Sequence, residues 1–208
     1  MTADATRAES GATHLDPRRV LELALEEAAK HRRLLRSAAD GRRLSAAMLP
    51  FFLLRPPAGF GVITTTGART GRPRRKCIRV IRVGDTAYLV ALRPPAVAIA
   101  KPSFVNAWVW NVRSNPSVSL RIRGGVFDGR ARELTDQAEL AQARTALCET
   151  VNRFDAAECV VHLRGRPSRA KIEDLHAYWF DTGIPVAIDL EAQSSRPRPG
   201  KKRPTRAA

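Results

Sequence analysis

The sequence predicts an α+β fold, mainly antiparallel β: a small barrel with peripheral helices and an N-terminal helical arm. Three observations carry this. Six short runs alternate or concentrate apolar residues as strands do: Phe60–Thr66, Lys76–Val83, Thr86–Leu92, Ser117–Arg123, Val126–Leu134 and Ile184–Leu190. Gly84-Asp85 and Gly124-Gly125 are tight-turn signals that fold neighbouring runs into antiparallel hairpins. Helical patterns occur only before and between these runs, as expected when helices decorate the joins of a closed sheet.

The elements follow in order. Residues 1–15 read as a disordered leader. Asp16-Pro17 combines an N-capping acid with proline at the first helical position, so a helix is expected from Pro17 to about Asp40, ended by Gly41. With the short apolar segment Leu44–Leu54, which stops at Pro56-Pro57, it makes an arm over residues 16–57. The barrel domain is expected over 58–192. Within it, residues 93–103 read as a Pro- and Ala-rich loop, Phe104–Ser114 as a short helix broken by Asn115-Pro116, and 136–153 and Lys171–Phe180 as helices. Residues 193–208 form a basic tail expected to be disordered.

A chain of 208 residues, 44% hydrophobic, can bury a core without disulfides or metal. Leu44–Leu54, the longest apolar stretch, is interrupted by Pro50 and too short to span a bilayer. The N-terminus has neither a basic start nor an apolar run, so no secretory signal is expected. Cys77, Cys148 and Cys159 are widely spaced and read as reduced thiols, which points to a cytoplasmic protein. The net charge is +16, with 30 Arg against 6 Lys, and the tail after Gln193 supplies six of the basic residues. Such an excess attracts phosphates, nucleic acid or acidic lipid alike. An arginine-heavy composition also follows from genomic base bias.

Two segments carry chemistry. In Thr64-Thr65-Thr66-Gly67-Ala68-Arg69-Thr70-Gly71-Arg72-Pro73-Arg74-Arg75-Lys76, a strand enters a loop with two glycines and five basic side chains between Arg69 and Lys76. Glycines let a backbone approach a ligand, turn N–H groups form anion-binding concavities, and guanidinium groups grip phosphate oxygens in pairs. A phosphorylated cofactor tail needs this set; a solvated hairpin loop would also show it. The loop is neither a Walker loop nor a dinucleotide fingerprint. In Trp108-Val109-Trp110-Asn111-Val112-Arg113-Ser114-Asn115-Pro116 the two tryptophans do not share a helix face. One is expected in the core, and the other is free to line a flat-ring site.

Together, Thr64–Arg74 and Trp108–Pro116 resemble the deazaflavin-dependent nitroreductase family, which are actinobacterial split β-barrel flavin/deazaflavin oxidoreductases. Trp179–Val186 is similar to that family's closing segment, and the resemblance spans about Phe60 to Leu190. It implies a split β-barrel that binds reduced coenzyme F420, with FMN or haem as alternatives, and passes a hydride to a quinone or a nitro or unsaturated compound. It implies that the loop of Thr66, Arg69, Thr70, Gly71, Arg74 and Lys76 holds the phosphate and polyglutamate tail. By the same resemblance the backbone of Cys77 and Ile78 approaches the ring, Ala91, Leu92 and Arg93 line ring or tail, and Trp108 and Asn111 brace the pocket.

The chain departs from the family at Leu92-Arg93-Pro94-Pro95, at Lys76-Cys77 and at Arg79. It lacks the tyrosine-rich stretch of nitroreductive members; Glu173, His176 and Tyr178 stand there. These departures keep open a cofactor-binding barrel without turnover, and the charge keeps open a nucleic-acid-binding protein, though no reader helix is present. His176 is the one candidate proton donor, weighed against a surface histidine on a helix. His162 is expected on a strand or helix flank, and His14 and His31 as structural or solvated. No His, Cys or carboxylate cluster shows metal-ligand spacing. A homodimer is expected by analogy, and the basic arm with Met48–Leu54 suits contact with an anionic membrane surface, against packing over the barrel end.

Overall fold

The computed structural model describes residues 16–32 and 34–191. The expected leader and basic tail, and His14, lie outside the described residues.

The barrel strands are β1 (Phe60–Thr66), β2 (Pro73–Val83), β3 (Thr86–Ala91), β4 (Ser117–Ile122), β5 (Gly125–Glu133) and β6 (Ile184–Leu190). They close in the order β1-β2-β3-β6-β5-β4, every pair antiparallel. β1 and β6 have the expected bounds. β2 starts earlier than expected, because its pairing with β1 continues to Thr66↔Pro73. Ile63, Leu89, Leu120, Val186 and Ile188 fill the interior and are fully buried.

The helices are α1 (Pro17–Ala28), α2 (Ala38–Leu54), α3 (Pro95–Ala100), α4 (Ala107–Ser114), α5 (Gln137–Glu149), α6 (Asp155–His162) and α7 (Arg169–Thr182). The single helix expected from Pro17 to Asp40 is two. After α1 the chain is stapled elsewhere: Arg32 N–H donates to His162 O at 2.7 Å, Arg164 N–H to Lys30 O at 3.0 Å, and Arg32 Nε to Leu163 O at 2.8 Å. Ser37 then opens α2 through a capping box with Asp40, so Gly41 lies inside a helix instead of ending one. Pro50 also lies inside α2, whose Phe52 packs on Phe60 and Val62 of β1.

Residues 93–103 are not all loop. Pro94-Pro95 starts α3, whose Ala98 packs against Val20 and Ala24 of α1. α6 was not anticipated as a helix; His162 is its last residue. α4 closes the end of the barrel where β1 finishes, inserting Trp108, Val109 and Val112 into the interior cluster.

Candidate anion-binding site at the barrel mouth

β1 ends at Thr66, and the next residues form a tight loop back to β2. Gly67 N–H donates to Arg72 O at 2.9 Å, and Gly71 N–H to Gly67 O at 2.8 Å. Gly71 has φ 64°, a left-handed conformation that glycine adopts without penalty. A Cβ on Gly67 would stand 2.9 Å from Thr70 Oγ1 and 3.1 Å from Arg72 O, so the turn is too tight for a side chain.

Asn111 of α4 fixes this loop to the barrel. Its Oδ1 accepts from Ala68 N–H at 3.0 Å, and its Nδ2 donates to Thr65 Oγ1 at 3.0 Å. Thr70 Oγ1 accepts from Arg74 Nη2 and from Arg72 N–H, both at 3.4 Å. Arg69, Arg72, Arg74 and Arg75 are exposed, and among the described residues none has an acidic partner. Some arginines elsewhere are paired, Arg113 with Glu133, Arg132 with Glu139 and Asp189, Arg144 with Asp181, while Arg123, Arg130, Arg153, Arg164 and Arg166 are exposed without an acidic partner among the described residues; the loop differs in holding four such side chains within seven residues. Beside the loop, Thr64, Thr66, Pro73, Ser117 and Ser119 line an open groove of about 280 Å³, with Asp128 and Glu191 on its far side.

Thr66, Arg69, Thr70, Gly71, Arg74 and Asn111 are thus gathered at one end of the barrel. Lys76 adjoins them, register-paired with Ile63, its ammonium pushed below the ordinary lysine range by burial. The remaining positions make contacts within the fold. Cys77 N–H donates to Ser45 Oγ of α2 at 2.9 Å, and burial raises its thiol. Ile78 and Ala91 are in the barrel interior. Arg93 is 2% exposed, giving Nε to Phe104 O at 2.7 Å and Nη1 to Thr182 O at 2.9 Å, while its own carbonyl accepts from Tyr178 Oη–H.

Trp108 is buried, whereas Trp110 is 53% exposed, with the Arg113 guanidinium 4.7 Å from its ring centre. Trp110 was not among the expected site residues. The signal was the two-residue spacing, which sends the two rings to different faces without saying which one is outside.

His176 is not a surface histidine. It is 3% exposed, with Nε2 3.7 Å from Glu158 Oε2 and 4.0 Å from Asp155 Oδ1. The reason is α6, which covers this side of α7. Asp155, Glu158 and His176, which no spacing in the sequence joins, are brought together from two helices, with ligand atoms within 4.8 Å of one another. Asp155 Oδ1 also faces Arg79 Nε of β2 at 3.3 Å. Arg79 is six residues along its strand from Pro73, roughly 20 Å from the mouth at about 3.3 Å per residue.

A closed antiparallel barrel with decorating helices is a split β-barrel, and here it carries an anion-ready loop at its mouth. Residues 56–162 match the F420H(2)-dependent quinone reductase family, and the chain belongs to that family. It is accordingly an oxidoreductase whose cofactor is coenzyme F420. Among solved structures, the chain is similar to an F420-H2 dependent reductase (22% identity over 64% of this chain and 95% of the other, TM-score 0.41). It is also similar to a protein described as a domain-swapped dimer (24% identity, 65% and 81% covered, TM-score 0.42). A third is a heme binding protein from Mycobacterium smegmatis (15% identity, 74% and 52% covered, TM-score 0.42).

Proposed function

We propose that this protein transfers a hydride from reduced F420 to a quinone-type acceptor, and that the Arg69–Lys76 loop holds the cofactor's phosphate and polyglutamate. The observation that carries this reading is the set of exposed arginines without acidic partners, on a loop that Asn111 pins to the barrel. Free guanidinium groups bind oxyanions in bidentate fashion, and a fixed loop loses little entropy on binding. The residues present therefore fit a ligand with several negative charges. When bound, the deazaflavin supplies the hydride; the protein supplies position and exclusion.

Arg69, Arg72 and Arg74 anchor the anionic part, and Gly67 and Gly71 let the backbone come close to it. Trp110 offers a flat face at the edge of α4 against which a ring can stack. His176 stands beside Asp155 and Arg79, distant from this mouth, so it does not donate a proton to an acceptor bound there.

The test is fluorescence titration with F420 at two salt concentrations. Arg69→Ala and Arg74→Ala should each weaken binding by about tenfold, as expected when one charge-assisted contact is lost, with a shallower salt dependence. Affinity unchanged in both variants removes the loop from the site. Oxidation of reduced F420 by a quinone panel then separates enzyme from carrier: no acceleration over the uncatalysed rate leaves a binding barrel.

A second observation bears on where the acceptor is met. Arg43, Ala47, Phe51 and Leu54 form an exposed stripe at helical spacing along α2, with Phe51 54% and Leu54 85% exposed and Arg42 and Arg55 beside them. An apolar stripe flanked by arginines matches an anionic lipid surface, where a lipid-soluble quinone resides. Co-sedimentation with vesicles containing anionic lipid should fall for the double variant Phe51→Ser/Leu54→Ser; equal sedimentation would remove this contact.

A further inference from the structure

The buried cluster behind the barrel is the feature that the proposed reaction leaves unused. Asp155 and Glu158 stand one turn apart on α6, and His176 faces them from α7. Their side chains are 0%, 10% and 1% exposed. Asp155 has partners: Arg79 Nε on Oδ1 at 3.3 Å and Asn152 N–H on Oδ2 at 2.6 Å. Arg79 is held in turn by Thr150 O, which accepts from Nη2 at 2.7 Å. The other two groups are not satisfied. Glu158 Oε2 and both ring nitrogens of His176 are buried without a hydrogen-bond partner among the described residues.

Orphaned buried polar atoms are costly, and here two of them, Glu158 Oε2 and His176 Nε2, face each other at 3.7 Å. Two carboxylates against one guanidinium also leave a negative charge in a site closed to water, which calls for a cation. The distances say which kind. His176 Nε2 is 3.7 Å and 4.0 Å from the two carboxylates, beyond the reach of a direct hydrogen bond. Zinc holds nitrogen and oxygen ligands at about 2.0–2.2 Å, so two of its tetrahedral ligands stand roughly 3.4 Å apart. The two histidine–carboxylate separations are near that spacing, and all three ligand atoms lie within 4.8 Å of one another.

We propose that Asp155, Glu158 and His176 form a site for a divalent transition-metal ion, zinc by the chemistry of the donors. The ion joins α6 to α7, and Arg79, through Asp155, ties that joint to β2. Arg79 and the Asn152 amide orient the Asp155 carboxylate, as groups bonded to ligands do. The site lies on the outside of the barrel, so its role is to hold the helices in place.

The test uses tag-free, full-length protein stripped with a chelator and returned to metal-free buffer. Titration with Co2+ should give saturable uptake of one ion per chain with visible ligand-field bands, displaced by Zn2+. Melting should move up by several degrees when zinc is restored, as expected for a ligand that binds only the folded state. Glu158→Gln and His176→Gln should each lower the affinity by at least about tenfold. The wild-type titration decides the matter even if a variant fails to fold. Absence of saturable uptake, a melting temperature indifferent to chelator and zinc, or uptake unchanged in a folded Glu158→Gln protein each overturns the site.

Discussion

Around Trp179, burial disfavours the charged form of two histidines. His162 meets the indole edge-on with ring centres 4.9 Å apart, and His31 lies against both Tyr178 and Trp179. Burial pushes His162 down from 6.5 to about 4, and lowers His31 as well, opposed in part by its Nδ1 contact with Glu27 O. For a base with a depressed folded value, the native state binds fewer protons than the unfolded chain. Stability is therefore full above pH 6.5 and is lost as pH falls toward 4, by about 3 kcal/mol for His162. Denaturant melts across this range should show the loss, and His162→Gln should flatten it. At the same scale, Asn111 bonds the loop at two atoms. Asn111→Ala should weaken F420 binding several-fold with the melting temperature lowered only slightly, a split that calorimetry and titration read separately.

The elements explain where local signals prevailed and where they were overridden. Ser37 and Asp40 bind each other's backbone reciprocally, and this beats continuation of the preceding helix. Ser37→Ala should cost about 1 kcal/mol, measured by chemical denaturation. α2 is also where two roles share one helix: Phe52 is 1% exposed against Phe60 and Phe154, while Phe51 and Leu54 face solvent. α4 is similar, with Trp108 inward and Trp110 outward. Neither division shows in the hydrophobic pattern, since both faces of each helix carry large apolar residues. α3 and α6 escaped the sequence because each is short, six and eight residues, and gains its stability from the helix it packs on.

At the scale of the molecule, β6 completes the barrel, pairing with β3 on one edge and β5 on the other. Ile188, fully buried near the middle of that strand, touches the shared core. Ile188→Ala should cost roughly 2–5 kcal/mol and reduce thermal stability of the whole domain in one transition, seen by calorimetry. The charge distribution is also a whole-molecule property. Arg113, Arg132 and Arg144 are paired with Glu133, Glu139, Asp181 and Asp189, and Arg43 of α2 with Asp40, whereas in the mouth loop four exposed arginines within seven residues have no acidic partner among the described residues. Among the described residues no helix is long and apolar enough to cross a membrane.

The barrel and its family are legible along the chain. Period-two alternation, two glycine turns and the Thr64–Arg74 and Trp108–Pro116 motifs are local signals, read within ten or so residues. The basic loop was legible for the same reason, since its glycines and arginines are contiguous. Which side chains are available follows instead from packing in three dimensions. Cys77, just after the first motif, gives its N–H to Ser45, Arg93 is buried with Nε and Nη1 on backbone carbonyls, and Trp110, not Trp108, is at the surface. The Asp155–Glu158–His176 cluster exists only because α6 folds onto α7, a juxtaposition set by packing between segments that carry no pattern in common. Local chemistry is written along the chain; burial and the meeting of distant groups follow from how the barrel closes.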